Sequence, residues 1–426
     1  MNLLIKNGRA VVGDAFEPAD IYIEGSKIVK IGKNIDCAAD REIDASGKIV
    51  LPGFVDMHCH LREPGQEYKE DIASGSAAAL NGGFTSVACM PNTVPPLDNA
   101  ALIKYVRTRA AEVDRAKVYP IGCITKGQKG NEIAEMGFMQ QAGAVAFSDD
   151  GRPVESAGIM RLALEYAAGL NALIISHCED KTLAGDGVAN EGLNATVAGL
   201  KGITRAAEEC MVARDIILAE TLDARVHIAH VSTAGSVELV RQAKARGVRV
   251  TCETCPHYFA ATDDEILNYN TNAKINPPLR TQADVDAIVA GLQDGTIDAI
   301  ATDHAPHHAD EKNREFPLAP FGTSGFETAF SLAYTYLVET DLIDVVKLSK
   351  LMSGNPARIL GIGTGELKEG ACADITVVDP EKSYIVDSGK FVSKGKNSLF
   401  NGWKLKGTVE AVVVDGHEKE IKSYDR

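Results

Sequence analysis

Apolar and polar positions alternate along this chain in two different textures. Residues 1 to 50 carry short apolar runs interrupted by turn residues. Leu3-Leu4-Ile5-Lys6 stops at Asn7-Gly8, Ile21-Tyr22-Ile23 stops at Glu24-Gly25-Ser26, and Lys27-Ile28-Val29-Lys30-Ile31 resumes the pattern. Asn-Gly between alternating apolar runs predicts a hairpin. The same texture returns in Asp374-Ile-Thr-Val-Val-Asp379 and in the run from Gly407 to Gly416. Two strand-rich ends flanking a different middle predict one small sheet domain built from both termini.

The middle of the chain has a longer rhythm. Strand-like runs occur at 54–60, 85–90, 118–124, 144–148, 172–177, 226–231, 248–253 and 297–302. Helical stretches lie between most of them, among them Asp98 to Val113, Asn131 to Gln141, Ala206 to Leu222 and Ser236 to Ala245. Eight β/α repeats predict an α/β fold, a (β/α)8 TIM-type barrel with functional residues at the C-terminal ends of its strands. A doubly wound open sheet is the alternative, but no Gly-x-Gly-x-x-Gly follows the first strand to support it. The expected domains are the barrel over 51–362 and a β-sandwich formed jointly by 1–50 and 363–426. Segment 307–325 reads as a long loop after the eighth strand, a common place for an active-site cover.

Composition narrows the function. The 426 residues are 45% hydrophobic, enough for a large core, and the net charge of −15 argues against a nucleic-acid or anionic-membrane partner. No run of about 18 apolar residues is present to span a bilayer. Met1 to Gly8 lacks the charged head and apolar core of a secretion signal, so a cytoplasmic protein is expected. Nine cysteines, odd in number and scattered, read as reduced core thiols. Cys252-Glu-Thr-Cys255 sits in a strand-like context and reads as structural rather than redox-active or zinc-binding.

The candidate chemistry lies at the strand ends. Asp56-Met57-His58-Cys59-His60 continues the first middle strand, and residues two apart on a strand share a face, so His58 and His60 should converge while Cys59 points away. The fourth strand ends in Asp149-Asp150-Gly151, the fifth in His177, the sixth in His230 and the eighth in Asp303-His304. Taken singly, each has a plainer role as a turn residue, a helix cap or a hydrogen-bonded core histidine. Together, four histidines and two aspartates at five strand ends make a donor set suited to Zn²⁺, with Mn²⁺ or Co²⁺ as stand-ins. By the same parity His227 should face the helices, and His304 should turn away from the site. His257 and His308 have no assigned role, with Pro256-His257-Tyr258 bracing the seventh strand end, and His417 is expected on the surface.

Several motifs resemble one family. His58-Cys-His-Leu-Arg-Glu-Pro-Gly65, Met90-Pro-Asn-Thr93, Asp149-Asp150-Gly151, Asn276-Pro-Pro-Leu-Arg280 and Thr302-Asp-His-Ala-Pro-His307 together resemble the dihydroorotases of the amidohydrolase superfamily, in their long-chain bacterial and archaeal type. The likeness extends to Leu367–Asp374 and Phe400–Gly407. Many relatives place a carboxylated lysine after the fourth strand; this chain has Ser148-Asp149-Asp150 there, and the resembled type uses the aspartate.

The resemblance implies reversible cyclisation of N-carbamoyl-L-aspartate to (S)-dihydroorotate in pyrimidine biosynthesis. It implies two Zn²⁺, one on His58, His60 and Asp303, the other on His177 and His230, with Asp150 shared. Zinc lowers the pKa of a bound water to roughly 7. Asp303 is the expected general acid/base. Arg62, two residues beyond His60 and expected on the same face, suits a bidentate pairing with the substrate carboxylate, which Asn92 can also contact. His60, Asn276, His307 and the backbone of Phe321 and Gly322 complete the implied substrate set. The expected partner is a small molecule, in a homo-oligomer that associates with aspartate transcarbamoylase. The rivals are a hydantoinase- or allantoinase-like hydrolase and a non-catalytic structural partner of that transcarbamoylase.

Overall fold

The computed structural model describes residues 2–422. The N-terminal strands are β1 (Asn2–Val12), β2 (Ala15–Glu24), β3 (Lys27–Gly32), β4 (Arg41–Asp44) and β5 (Ile49–Pro52). Glu24 pairs with Lys27 across a two-residue turn, the hairpin expected at Gly25-Ser26. Asn7-Gly8, by contrast, does not turn the chain. β1 continues through it with a register shift between Ile5 and Gly8, and the hairpin turn to β2 comes at Gly13-Asp14. Asn7 adopts a φ of 64° and its N–H donates to Asp20, so the dipeptide forms a bulge. Gly8 lies against the Val50 side chain, where an added Cβ would come within 2.6 Å of it.

The middle begins with β6 (Phe54–Cys59), β7 (Phe84–Cys89) and β8 (Lys117–Pro120), paired in parallel. Then come β9 (Ile174–Ser176), the short pair β10 (Ala189–Asn190) and β11 (Gly202–Ile203), β12 (Val226–Ile228), β13 (Val250–Thr254) and β14 (Ala299–Ile300). β9, β12, β13 and β14 form a second parallel set. The run 144–148, expected as a strand, joins the two sets: Val145 and Ser148 donate to Pro120 and Gly122, and Phe147 bridges in parallel to Gly122 and Ile174. A further parallel bridge from His304 to Cys59 brings the pairing back to β6.

These strands are buried on both faces, as parallel strands covered by helices must be. One face packs Val55, Met57, Ala88, Ile175, Ala229 and Ala299 into an inner cluster, where small residues suit a crowded interior. The other presents Phe54, Phe84, Ile174, Val226 and Ile228 to the surrounding helices. Ile72–Asn81 is one such helix; the carboxylate of Asp71 caps it by accepting from the Ser74 N–H. The long helix Ala206–Leu222 matches its expected span, and Ala100–Val113 and Ala234–Ala245 lie within two residues of theirs. The helix expected from Asn131 begins only at Met136.

Three C-terminal strands, β15 (Ile375–Ile385), β16 (Lys404–Val414) and β17 (His417–Lys419), complete the terminal sheet. Its order is β17-β16-β15-β5-β1-β2-β3, with β4 also on β1, so residues from both ends share one sheet as expected. Where it meets the middle, Gly407 of β16 lies against Phe330, on which Phe54 stacks at 5.3 Å while meeting Phe84 edge-on at 5.7 Å. Phe54→Ala should lower the unfolding free energy by about 3–5 kcal/mol, read from denaturant midpoints. A loss under about 1 kcal/mol would mean this cluster does not carry the junction.

Candidate metal centre and active site

All six donor residues, expected at five strand ends, meet. His58 Nε2 lies 3.3 Å from Asp150 Oδ1 and 3.6 Å from Asp303 Oδ1. His60 Nε2 is 3.1 Å from Asp303 Oδ1 and 3.5 Å from Asp150 Oδ2. His177 Nδ1 and His230 Nε2 approach to 2.8 Å, and both lie within 3.5 Å of Asp150 Oδ1. All six residues are buried. His58 with His60 and Asp303, and His58 with Asp150 and His230, each present donor atoms close enough to share one cation.

Several observations fit these residues to metal ions. His58 Nε2 and Asp150 Oδ1 are buried without a hydrogen-bond partner, although they face each other across the cluster. An orphaned lone pair in a dry site carries a desolvation penalty that a cation would remove. The outer nitrogens of three imidazoles are engaged: His58 Nδ1 with Glu253 Oε1 at 2.7 Å, His60 Nδ1 with Asn92 Oδ1 at 2.9 Å, and His177 Nε2 with Glu179 Oε2 at 3.3 Å. An acceptor behind each ring turns its other nitrogen toward the centre, the usual arrangement of metal-ligating histidine.

The electrostatics match. Burial alone would push the Asp303 carboxyl up, but the neighbouring His60, His58 and His230 imidazoles outweigh it and hold it at about 2. Asp150, also buried, is drawn well below the usual carboxylate range by His58, His177 and His230. Burial likewise opposes the charge on Glu253, and the neighbouring His227 and His58 imidazoles prevail, leaving it at about 2.

Backbone conformation aims two donors. His230 and Asp303 have φ of 36° and 44°, in the left-handed region that non-glycine residues seldom occupy. Such strain collects at functional sites, held by surrounding structure. Arg62 has φ of 61°, so it reaches the site through a left-handed bend past the end of β6 and not by strand parity. Its Nε donates to the Pro306 carbonyl, and burial lowers its pKa to about 10, still fully charged at neutral pH.

A cavity of about 290 Å³ opens above the donor cluster. It is lined by His60, Arg62, Asn92, Asp150, His177, His230, Asn276, Asp303, His307, Phe321 and Gly322, so every expected substrate residue borders it. His58 lies beneath. Some of these groups are already engaged. Asn92 Oδ1 holds His60, which leaves its amide nitrogen for a ligand. His307 Nε2 donates to the Phe321 carbonyl, and Asn276 Nδ2 donates to Glu179.

The expectation for His227 fails. It sits on the face shared with Ala229, with Nδ1 2.8 Å from Thr251 Oγ1 and Nε2 3.4 Å from Glu253 Oε2, so it points inward and not toward the helices. His230 follows the end of β12, where its left-handed backbone breaks the alternation on which the parity argument relied. Two carboxylates went unrecognised in the sequence. Glu179 stands two residues past His177, and Glu253 is a lone acid in an apolar strand; burial of such a residue was the available signal.

Other residues stand apart from the cluster as expected. His304 packs on Phe326 at 4.1 Å and accepts the Gly325 N–H. Asp149 accepts from Ile124 and Thr125 and does not enter the cluster. His417 is exposed, and Cys252 and Cys255 are buried free thiols. Cys210 is exposed and Cys37 and Cys372 are only partly buried, exceptions to the core-thiol expectation.

The 307–325 segment is more ordered than expected. It contains a helical turn, Ala309–Lys312, and is fastened by buried lysines. Lys312 Nζ donates to the carbonyls of Pro320 and Gly322 at 2.9 Å, and Lys274 Nζ to those of Phe316 and Pro317. Burial lowers Lys312 to about 7 from an ordinary 10.5. Between those values the unfolded chain binds one more proton than the folded protein, so stability rises with pH. Relative to Lys312→Met, the wild type should therefore gain stability as pH rises from about 7 toward 10.5, measured by denaturant unfolding at several pH values. A flat difference would show that Lys312 stays charged.

Comparison with known proteins agrees with this geometry. Residues 47–236 match the family model described as Dihydro-orotase-like. Dihydroorotase from Acetivibrio thermocellus is 57% identical, covering 93% of each chain. Dihydroorotase from Caldanaerobacter subterraneus subsp. tengcongensis is 55% identical over 99% of this chain and 98% of that one. Among solved structures, L-hydantoinase from Arthrobacter aurescens has a TM-score of 0.86 at 27% identity, covering 98% of this chain and 95% of its own. D-hydantoinase from Thermus sp. has a TM-score of 0.84 at 25% identity, covering 98% and 94%. With donors, cavity and relatives in agreement, the chain belongs to the dihydroorotase family, a group of cyclic amide hydrolases.

Proposed function

We propose that this protein is a dihydroorotase that interconverts N-carbamoyl-L-aspartate and (S)-dihydroorotate in pyrimidine biosynthesis. The observation that carries the reading is the sharing of one small cavity by the donor cluster, the Arg62 guanidinium and the free amide of Asn92. A substrate with one amide to open and one carboxylate to hold needs these two things side by side.

Two Zn²⁺ ions are proposed, one held by His58, His60 and Asp303 and one by His177 and His230, with Asp150 shared. Bound there, zinc supplies a water of lowered pKa and polarises the ring carbonyl. Asp303 moves the proton: in hydrolysis the water oxygen bonds to the carbonyl carbon, the C–N bond breaks, and Asp303 Oδ1 passes the proton to the departing nitrogen. In cyclisation the same oxygen removes it. Asp303 is suited to this by being ionised and 3.1 Å from His60 Nε2. Arg62, fixed through Nε, presents its planar fork to the carboxylate that stays free in both directions. Asn92, Asn276, His307 and the Phe321-Gly322 backbone bound the space it occupies.

In this reading the parallel strands, with the bridges at Phe147 and His304, make a (β/α)8 barrel over 51–362. The terminal sheet is a β-sandwich domain from 1–50 and 363–426. Both are supported by the pairing order and by the hydantoinase likeness.

That likeness also favours a second reading, a hydantoin-type cyclic amide substrate. Turnover of dihydroorotate with hydantoin and allantoin inert would support dihydroorotase; the reverse would replace it. Asp303→Asn should lower kcat by at least about 10²-fold with the fold retained, and Arg62→Met should raise KM for dihydroorotate. Removal of metal with a chelator should abolish turnover, and added zinc should restore it. Activity surviving chelation would defeat the metal assignment.

A further inference from the structure

Resting on the metal reading above, we propose that Glu253 is a positioning residue for the donor cluster, fixing His58 in the tautomer that points a bare Nε2 at the metal. The geometry is a buried chain beneath the cavity. His58 Nδ1 lies 2.7 Å from Glu253 Oε1, His227 Nε2 lies 3.4 Å from Oε2, and His227 Nδ1 lies 2.8 Å from Thr251 Oγ1. Glu253 and both histidines have no solvent exposure. Water therefore does not compete for these bonds.

An ionised carboxylate only accepts hydrogen bonds. His58 Nδ1, hydrogen-bonded to Glu253 Oε1, must then carry the N–H, and a neutral imidazole has only one. His58, protonated at Nδ1, keeps a lone pair on Nε2, the atom found without a hydrogen-bond partner opposite Asp150. His227 is held through Nδ1 by Thr251 Oγ1, and its Nε2 faces Glu253 Oε2 at 3.4 Å without a hydrogen bond. The direction of the His58 bond thus follows from one buried negative charge. That charge also opposes the build-up of positive charge at the metal and makes His58 a stronger donor.

The matched comparison lies in the same molecule. Glu70 is a buried carboxylate 3.4 Å from His304 Nε2, and His304 is outside the donor cluster. Glu70 also accepts from Ser393 Oγ, so its loss should cost stability alone.

Glu253→Gln keeps the volume and an acceptor but removes the charge and the one-way constraint. Zinc affinity, measured by competition with a chromophoric chelator, should fall about 10–100-fold in Glu253→Gln and stay unchanged in Glu70→Gln. KM for dihydroorotate should change little at saturating zinc, and the chelator-treated variant should melt close to chelator-treated wild type. If wild type binds zinc and turns over while Glu253→Gln binds zinc as tightly, the positioning role is wrong and the functional reading stands. An equal loss in Glu70→Gln would also overturn it. If wild type neither binds zinc nor turns over, the functional reading itself fails, and this inference fails with it. Should Glu253→Gln not fold, nitrogen NMR of the zinc-loaded wild type decides: His58 coordinated through Nε2 with Nδ1 protonated supports the proposal, and the opposite tautomer overturns it.

Discussion

Charge removed from water must be answered by opposite charge, a hydrogen bond or a cation, and the strand ends of this protein gather that requirement in one place. Asp150 and Asp303 stand among four imidazoles, all buried at the floor of the cavity. Each group is tolerable there only because the others are present. The outer partners, Glu253, Asn92 and Glu179, turn the rings so that the remaining lone pairs converge. Much of the surrounding architecture serves that convergence: parallel strands that end on one side, left-handed residues that redirect donors, and a fastened loop that roofs the cavity.

The terminal sheet and the middle contribute differently. The sheet joins residues from both ends of the chain, pairing β5 with β15 directly before β6 begins. The start of the His58–His60 strand is thereby attached to a rigid neighbour, and Phe54 locks the junction against Phe84 and Phe330. Precise placement of two histidines only four and six residues further on follows from that anchoring. On the opposite side of the cavity, Asn397 holds the loop by donating to Ala305 and Gly322, so the C-terminal part of the chain also shapes the substrate space.

Strand periodicity was a sound guide where strands are regular and misleading where they end. It placed His58 and His60 on one face, and their rings lie 5.5 Å apart. It misjudged His227, because the bend at His230 separates that residue from the alternation below it. The run 144–148 is a thin link, its backbone bonds reaching Pro120 and Gly122 on one side and Leu173 and Ile175 on the other. Asn7-Gly8 reads as a turn in isolation, yet Asp20 captures the Asn7 N–H and makes it a bulge.

What the amino-acid order determined by itself is the inventory and its approximate address: eight strand-like segments, helices between them, and a histidine or aspartate closing five of the strands. Local periodicity and residue chemistry suffice for that, since both act over a few neighbours. Which atoms meet was decided only in three dimensions. The contact of His58 with Glu253 spans 195 residues, and that of His60 with Asp303 spans 243. Tautomers, the removal of water and the choice of inward face all depend on such distant pairs, and no short window of sequence contains both partners.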